Sequence, residues 1–137
     1  MKIIGHVGLV LAAAGIGLAP HGVEAAGKFD GAVPMLCAPT IVTECGADGE
    51  CRRGTPASVN LPEFLKVDLK AMKVHAEGTG RESPIRNLER LNGHIIIQGC
   101  QNGRGWTMTI AEETGRMSST ISTSDEGFII FGACAVP

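Results

Sequence analysis

From Asn60 onward the chain is a series of short apolar-rich runs separated by turn signals, and no helical periodicity exceeds two turns. Phe64–Asp68 and Met72–His75 alternate apolar and polar residues and predict a hairpin around Leu69-Lys70. Five further runs follow: Ile85–Leu91, Ile95–Gly99, Trp106–Ile110, Met117–Ile121 and Phe128–Ala133. Asn92-Gly93, Asn102-Gly103, Glu112–Gly115 and Ser124–Gly127 connect them, and Asn-Gly between apolar runs is the strongest short-range hairpin signal.

Turn rules and apolar pattern can be tested against each other. A two-residue turn at Asn102-Gly103 sets Gly99 opposite Trp106, Ile97 opposite Met108 and Ile95 opposite Ile110. A four-residue turn at Glu112–Gly115 sets Ile110 opposite Met117 and Trp106 opposite Ile121. All these pairs fall on one apolar face, with the missing side chain of Gly99 leaving room for the indole. The other face carries His94, Gln98, Thr107, Thr109, Ser118, Thr120 and Ser122. Two registers stay open. A two-residue Asn92-Gly93 turn points Arg86 and Arg90 to the apolar face, whereas a bulged three-residue loop points Ile85 and Glu89 there. Phe128–Phe131 is apolar on both parities.

Strands at Leu36–Cys45 and near Cys51 bring the count to eight or nine. The expected fold is all-β: an antiparallel meander forming a small closed or partly closed barrel, which removes the exposed edges of such a sheet. A β-sandwich is the alternative. The strands fall short of the roughly 9–11 residues needed to span an outer membrane.

The N-terminus follows another pattern. Met1-Lys2 gives a short positive start, and Ile3–Ala19 is apolar or glycine apart from His6. Pro20 and the polar stretch to Val23-Glu24-Ala25-Ala26 complete the three parts of a secretory signal. Small residues Val23 and Ala25 predict cleavage after Ala25; a cut after Ala26 would place Glu24 at the third position. The glycines between Gly5 and Gly22 argue against a retained spanning helix. Residues 1–25 are thus expected to be a signal peptide, 26–33 a flexible N-terminal segment and 34–137 the barrel-like domain. The expected location is periplasmic or secreted, without stable membrane insertion after signal removal.

All five cysteines lie after that cut. In an exported protein disulfides are the default, and an odd count leaves one thiol over. Cys45 and Cys51 flank the turn-forming Gly46–Glu50 and are expected to bridge across it. Cys37 and Cys134, near opposite ends of the domain, would then join the first strand to the last. Cys100, opposite Gly105 on the polar face, would be free. A competing assignment pairs Cys100 with Cys37 or Cys134. The cysteine spacings match no standard zinc pattern, so no metal is expected.

The net charge is −2, and removing Lys2 and Glu24 leaves it there, with both signs interspersed. No basic patch suggests nucleic acid as a partner. No nucleophile elbow, phosphate loop or zinc-protease motif is present. His75 and His94 read as solvated histidines, Glu112 and Glu113 as turn residues. No enzymatic activity and no cofactor are expected.

The run Leu36–Cys51, the segment from Gln98-Gly99 through Gly103–Trp106 to Thr114–Met117, and the ending Phe131–Cys134 resemble small exported β proteins of proteobacteria, a family that brings no assigned activity with it. A looser similarity, of architecture alone, is to periplasmic inhibitors of c-type lysozyme, small barrels with terminal cysteines; their serine-glycine-rich inhibitory segment is missing here. Gln98, Asn102, Arg104 and Trp106 cluster at one hairpin tip. They read either as turn chemistry plus one core tryptophan or as a contact patch with Arg104 at its point. The leading expectation is a protein-binding or inhibitory module acting through its loops on an envelope protein. The alternative is a small-molecule-binding barrel. Bulky Ile95, Ile97, Trp106, Met108 and Ile110 predict a filled interior, which favours the first.

Overall fold

The computed structural model describes residues 29–137, so the expected signal peptide and its expected cut lie outside the described residues. Ten antiparallel strands form one curled sheet: β1 (Met35–Gly46), β2 (Cys51–Gly54), β3 (Leu65–Asp68), β4 (Lys73–Ala76), β5 (Arg81–Pro84), β6 (Asn87–Leu91), β7 (His94–Gln101), β8 (Arg104–Ala111), β9 (Arg116–Ser122) and β10 (Glu126–Ala135). The neighbour order is β5-β4-β3-β1-β10-β9-β8-β7-β6, with β2 paired to β1 as a side hairpin. Since β5 runs into β6, this order is a meander bent almost into a ring. The corner Ile85-Arg86 bonds in both directions: Ile85 N–H donates to Met72 O and Arg86 N–H to Gln98 O. An all-β, partly closed barrel results, with ten strands rather than eight or nine.

The meander has the register that the turns and the apolar pattern require. Gly99 faces Trp106, Ile97 faces Met108, Ile95 faces Ile110, and Trp106 faces Ile121 in turn. Asn92 and Asn102 have φ of 51°, followed by Gly93 and Gly103 at 74° and 75°. Both central residues of each turn therefore have positive φ, as the type I′ hairpin demands. The first Asn-Gly hairpin is thereby a two-residue turn, with Arg90 opposite Ile95 and Leu88 opposite Ile97. In the last strand Ile130 is buried while Ile129 and Phe131 are exposed.

A bulge in β1 changes which residues point inward. Thr40 is the extra residue between the Pro39–Gly132 and Ile41–Phe131 pairs. Odd-numbered Met35 and Cys37 are buried before it and even-numbered Val42 after it. Gly132 is needed there, because a Cβ would come within 2.2 Å of the Ala38 carbonyl oxygen. Cys37 is bonded to Cys134 and Cys45 to Cys51, leaving Cys100 free and exposed. The disulfides are compatible with an oxidising, extracytoplasmic compartment.

Candidate functional site

The two ends of the barrel differ. At one end Met35, Val67, Leu69, Ile95 and Ile110 form a buried core. The chain enters there: Phe29 is 6% exposed, its N–H donates to Glu112 O, and its ring lies over Gly115. Thus residues 29–33 begin with a packed plug. Arg90, whose strand parity is inward, lies across the same end, pairing with Glu112 and donating to the Asp30 carbonyl. A long arginine on the inner face is tolerated because it ends at the rim, where its stem covers apolar surface and its head meets water.

At the other end the interior holds a cavity of about 500 Å³. Leu65, Val74, Trp106, Met108, Ile121 and Phe128 are among its walls, and four of these, all but Val74 and Met108, remain only half-buried. Volumes of this size fall within the range of small-molecule sites. The expectation of a filled interior therefore holds for the Phe29 end and is corrected at this one. Ile95, Ile97 and Ile110 do fill their half and Met108 is buried as well, but half-buried Trp106 borders open space.

Three local features keep that space open. The short 3-10 turn Pro56–Val59 begins at Thr55, whose hydroxyl accepts from Ser58 N–H, and ends at Asn60 in the left-handed region. It brings Val59, Asn60 and Leu61 to the mouth as a flank rather than a plug. The second is β5, whose Arg81–Pro84 crosses the tip of the β7–β8 hairpin. Gln101 Nε2 donates to Glu82 O at 2.7 Å, and the Trp106 indole N–H donates to Ser83 Oγ at 2.9 Å. The indole is thus tied to β5 by its polar atom. The third is Gly99, where a Cβ would come within 2.3 Å of the indole and 2.5 Å of Pro84 O.

The mouth is polar. Arg81, Asn60, Gln101, Asn102 and Arg104 line it with Glu82. Glu82 is engaged elsewhere: its carboxylate accepts from Lys73 Nζ at 2.8 Å and sits 3.4 Å from His75 Nδ1. The hydrogen bond and positive charge of Lys73 hold the Glu82 carboxyl below its ordinary range. Arg81 donates from Nε to Thr79 Oγ1 and reaches toward Asn60 O at 3.4 Å. Neither Arg81 nor Arg104 belongs to any of the four ion pairs among the described residues.

Of the hairpin-tip residues singled out from sequence, Asn102, Arg104 and Trp106 come together at the cavity. Gln98 does not; it lies on the outer face opposite Thr107, bonded to Asn87. Gln101, Arg81 and Ser83 were missed. Gln101 shares inward parity with Ile95, Ile97 and Gly99, which was legible in the register; β5 gives no apolar signal. Cys100 pairs with Gly105 on the outer face, away from the cavity. Among the described residues no three His, Cys, Asp or Glu side chains gather as a metal site. No protein-family model matches the chain, and no curated protein matches it.

Proposed function

We propose that this domain is a small-molecule-binding barrel of the periplasm or the exterior, taking an apolar ligand through its open end. The observation that carries this reading is the cavity of about 500 Å³ with mainly apolar walls and a polar mouth. Apolar burial is the driving force, at roughly 25 cal/mol per Å² of surface removed from water. The indole and the mouth amides supply orientation, as the few polar groups of such pockets ordinarily do.

The chain has a single tryptophan, and it lines this cavity. Its fluorescence is therefore a direct reporter. Titration of the mature domain with the neutral probe N-phenyl-1-naphthylamine should give saturable one-to-one binding with quenching of Trp106. Ile121→Phe, which adds bulk to the cavity wall beside the indole, should weaken it. Absence of saturable binding by the folded domain contradicts the proposal.

Contact with an envelope protein is the second reading. Here the support is a pair of outward side chains on β10, Ile129 and Phe131, 43% and 48% exposed. Ile41 is the β1 partner of Phe131. A partner captured from envelope extract should be lost with Ile129→Ser/Phe131→Ser and retained with Ile121→Phe. Retention by the outer-face double variant would overturn this reading.

A further inference from the structure

We infer that the ligand is an amphipathic anion: a single aliphatic chain in the cavity, with its carboxylate or other anionic head at the mouth between Arg81 and Arg104. This rests on the small-molecule reading above and specifies its ligand class. Three observations converge on it.

The first is charge. Arg81 and Arg104 line the mouth, and neither has an acidic partner among the described residues. The one carboxylate lining the cavity, Glu82, is drawn to Lys73 and His75 on the outer face of β4. Arg81 and Ser83 share the inward parity of Val74, whereas Glu82 pairs with outward His75. The mouth therefore presents two guanidinium groups with nothing on the inner face to neutralise them. Guanidinium forks match carboxylate and phosphate geometry.

The second is placement. Gln101 pairs with Arg104 in the β7–β8 register, and its side chain donates to the carbonyl of Glu82, next to Arg81. The two arginines thus flank one amide on the same rim.

The third is shape. From Arg104 through Trp106 to Met108 the wall descends four residues of strand, about 13 Å at the ordinary rise. Below the polar rim the lining is almost wholly aliphatic, thioether or aromatic, and buried Ser119 bonds to the Thr107 carbonyl. A head group has partners only at the top, and a chain only below. Sugars and nucleobases, with polar groups all round, would strand several of them against this floor.

The test uses the mature domain and Trp106 fluorescence, checked by calorimetry, with decanoate, decyl phosphate, decanol and acetate. Decanoate or decyl phosphate should bind roughly tenfold or more tightly than decanol, about the worth of one charge-assisted hydrogen bond. That advantage should shrink as salt is raised. Acetate should not bind measurably. Arg81→Gln/Arg104→Gln should bring decanoate and decyl phosphate down to the affinity of decanol. The stronger of the two anions identifies the head group. Equal binding of decanol and both anions by the native domain overturns the anionic-head inference but leaves the apolar-barrel reading standing. Failure of all four probes overturns both.

Discussion

The Phe29 end and the Arg104 end of this barrel are built from the same alternating strands, yet one is sealed and the other is hollow. What separates them is what lies across each end. At the sealed end an aromatic side chain seats on Gly115 and Arg90 ties three segments together. At the open end a short turn and the polar strand β5 stand beside the mouth, and two arginines face it. Strand patterning makes a barrel; the segments across its ends decide whether it has an inside.

That comparison can be broken most forcefully through the cysteines. The Cys37–Cys134 bond spans 97 residues, beside the sealed end, and Cys45–Cys51 spans six. The chain-entropy model gives about 4–5 kcal/mol for the long loop and about 2 kcal/mol for the short one. Denaturant midpoints should show Cys37→Ala/Cys134→Ala far below Cys45→Ala/Cys51→Ala. Equal losses would mean that the long bond does not hold the sealed end.

Core truncations should divide in the same way. Ile110→Ala removes a fully buried side chain and should cost roughly 2–5 kcal/mol. Ile121→Ala enlarges a space that is already open and should cost about 1 kcal/mol. Urea melts of both variants decide this, and a larger loss at Ile121 would show that the cavity end is packed.

Gly99→Ala sharpens the comparison at the indole. Its Cβ has no room beside Trp106 and the Pro84 carbonyl, so it should destabilise by about 1–3 kcal/mol and alter Trp106 emission. Unchanged stability and emission would mean that β5 does not press on the wall.

Much of this was legible in the residues, and the exceptions have physical causes. The β7–β8–β9 register follows from two turns and an alternating face, because a one-residue slip would turn every apolar side chain outward. The cysteine pairing follows from one short loop and two domain ends. β5 was not legible: Arg-Glu-Ser-Pro has no apolar alternation, and its proline suits only a position at a sheet edge or strand end. The cavity escaped for the same reason. Trp106 reads as core from its parity, and parity says nothing about what covers a barrel's end. The Thr40 bulge likewise breaks the alternation that strand reading depends on.

The smallest effect expected is at the rim. The Glu82 carboxyl is held low by Lys73 in the folded state, so its contribution is present above the unfolded carboxyl range. It is lost as pH falls through the depressed folded value. With both side chains about half exposed to water, the pair should move the melting temperature only slightly. Melts of the native domain and Glu82→Gln should differ a little near neutral pH and converge in acid. A gap that widens on acidification would reverse the sign of this linkage.

Methyl spectroscopy with labelled isoleucine and methionine tests the difference between the ends most directly. On titration with decanoate, Met108, Met117, Ile121 and Ile130, which line the cavity, should shift together and saturate. Ile95 and Ile110 in the sealed half, and Ile129 on the outer face, should move little. Shifts centred on Ile129, or none anywhere in the folded domain, would contradict a ligand-binding open end.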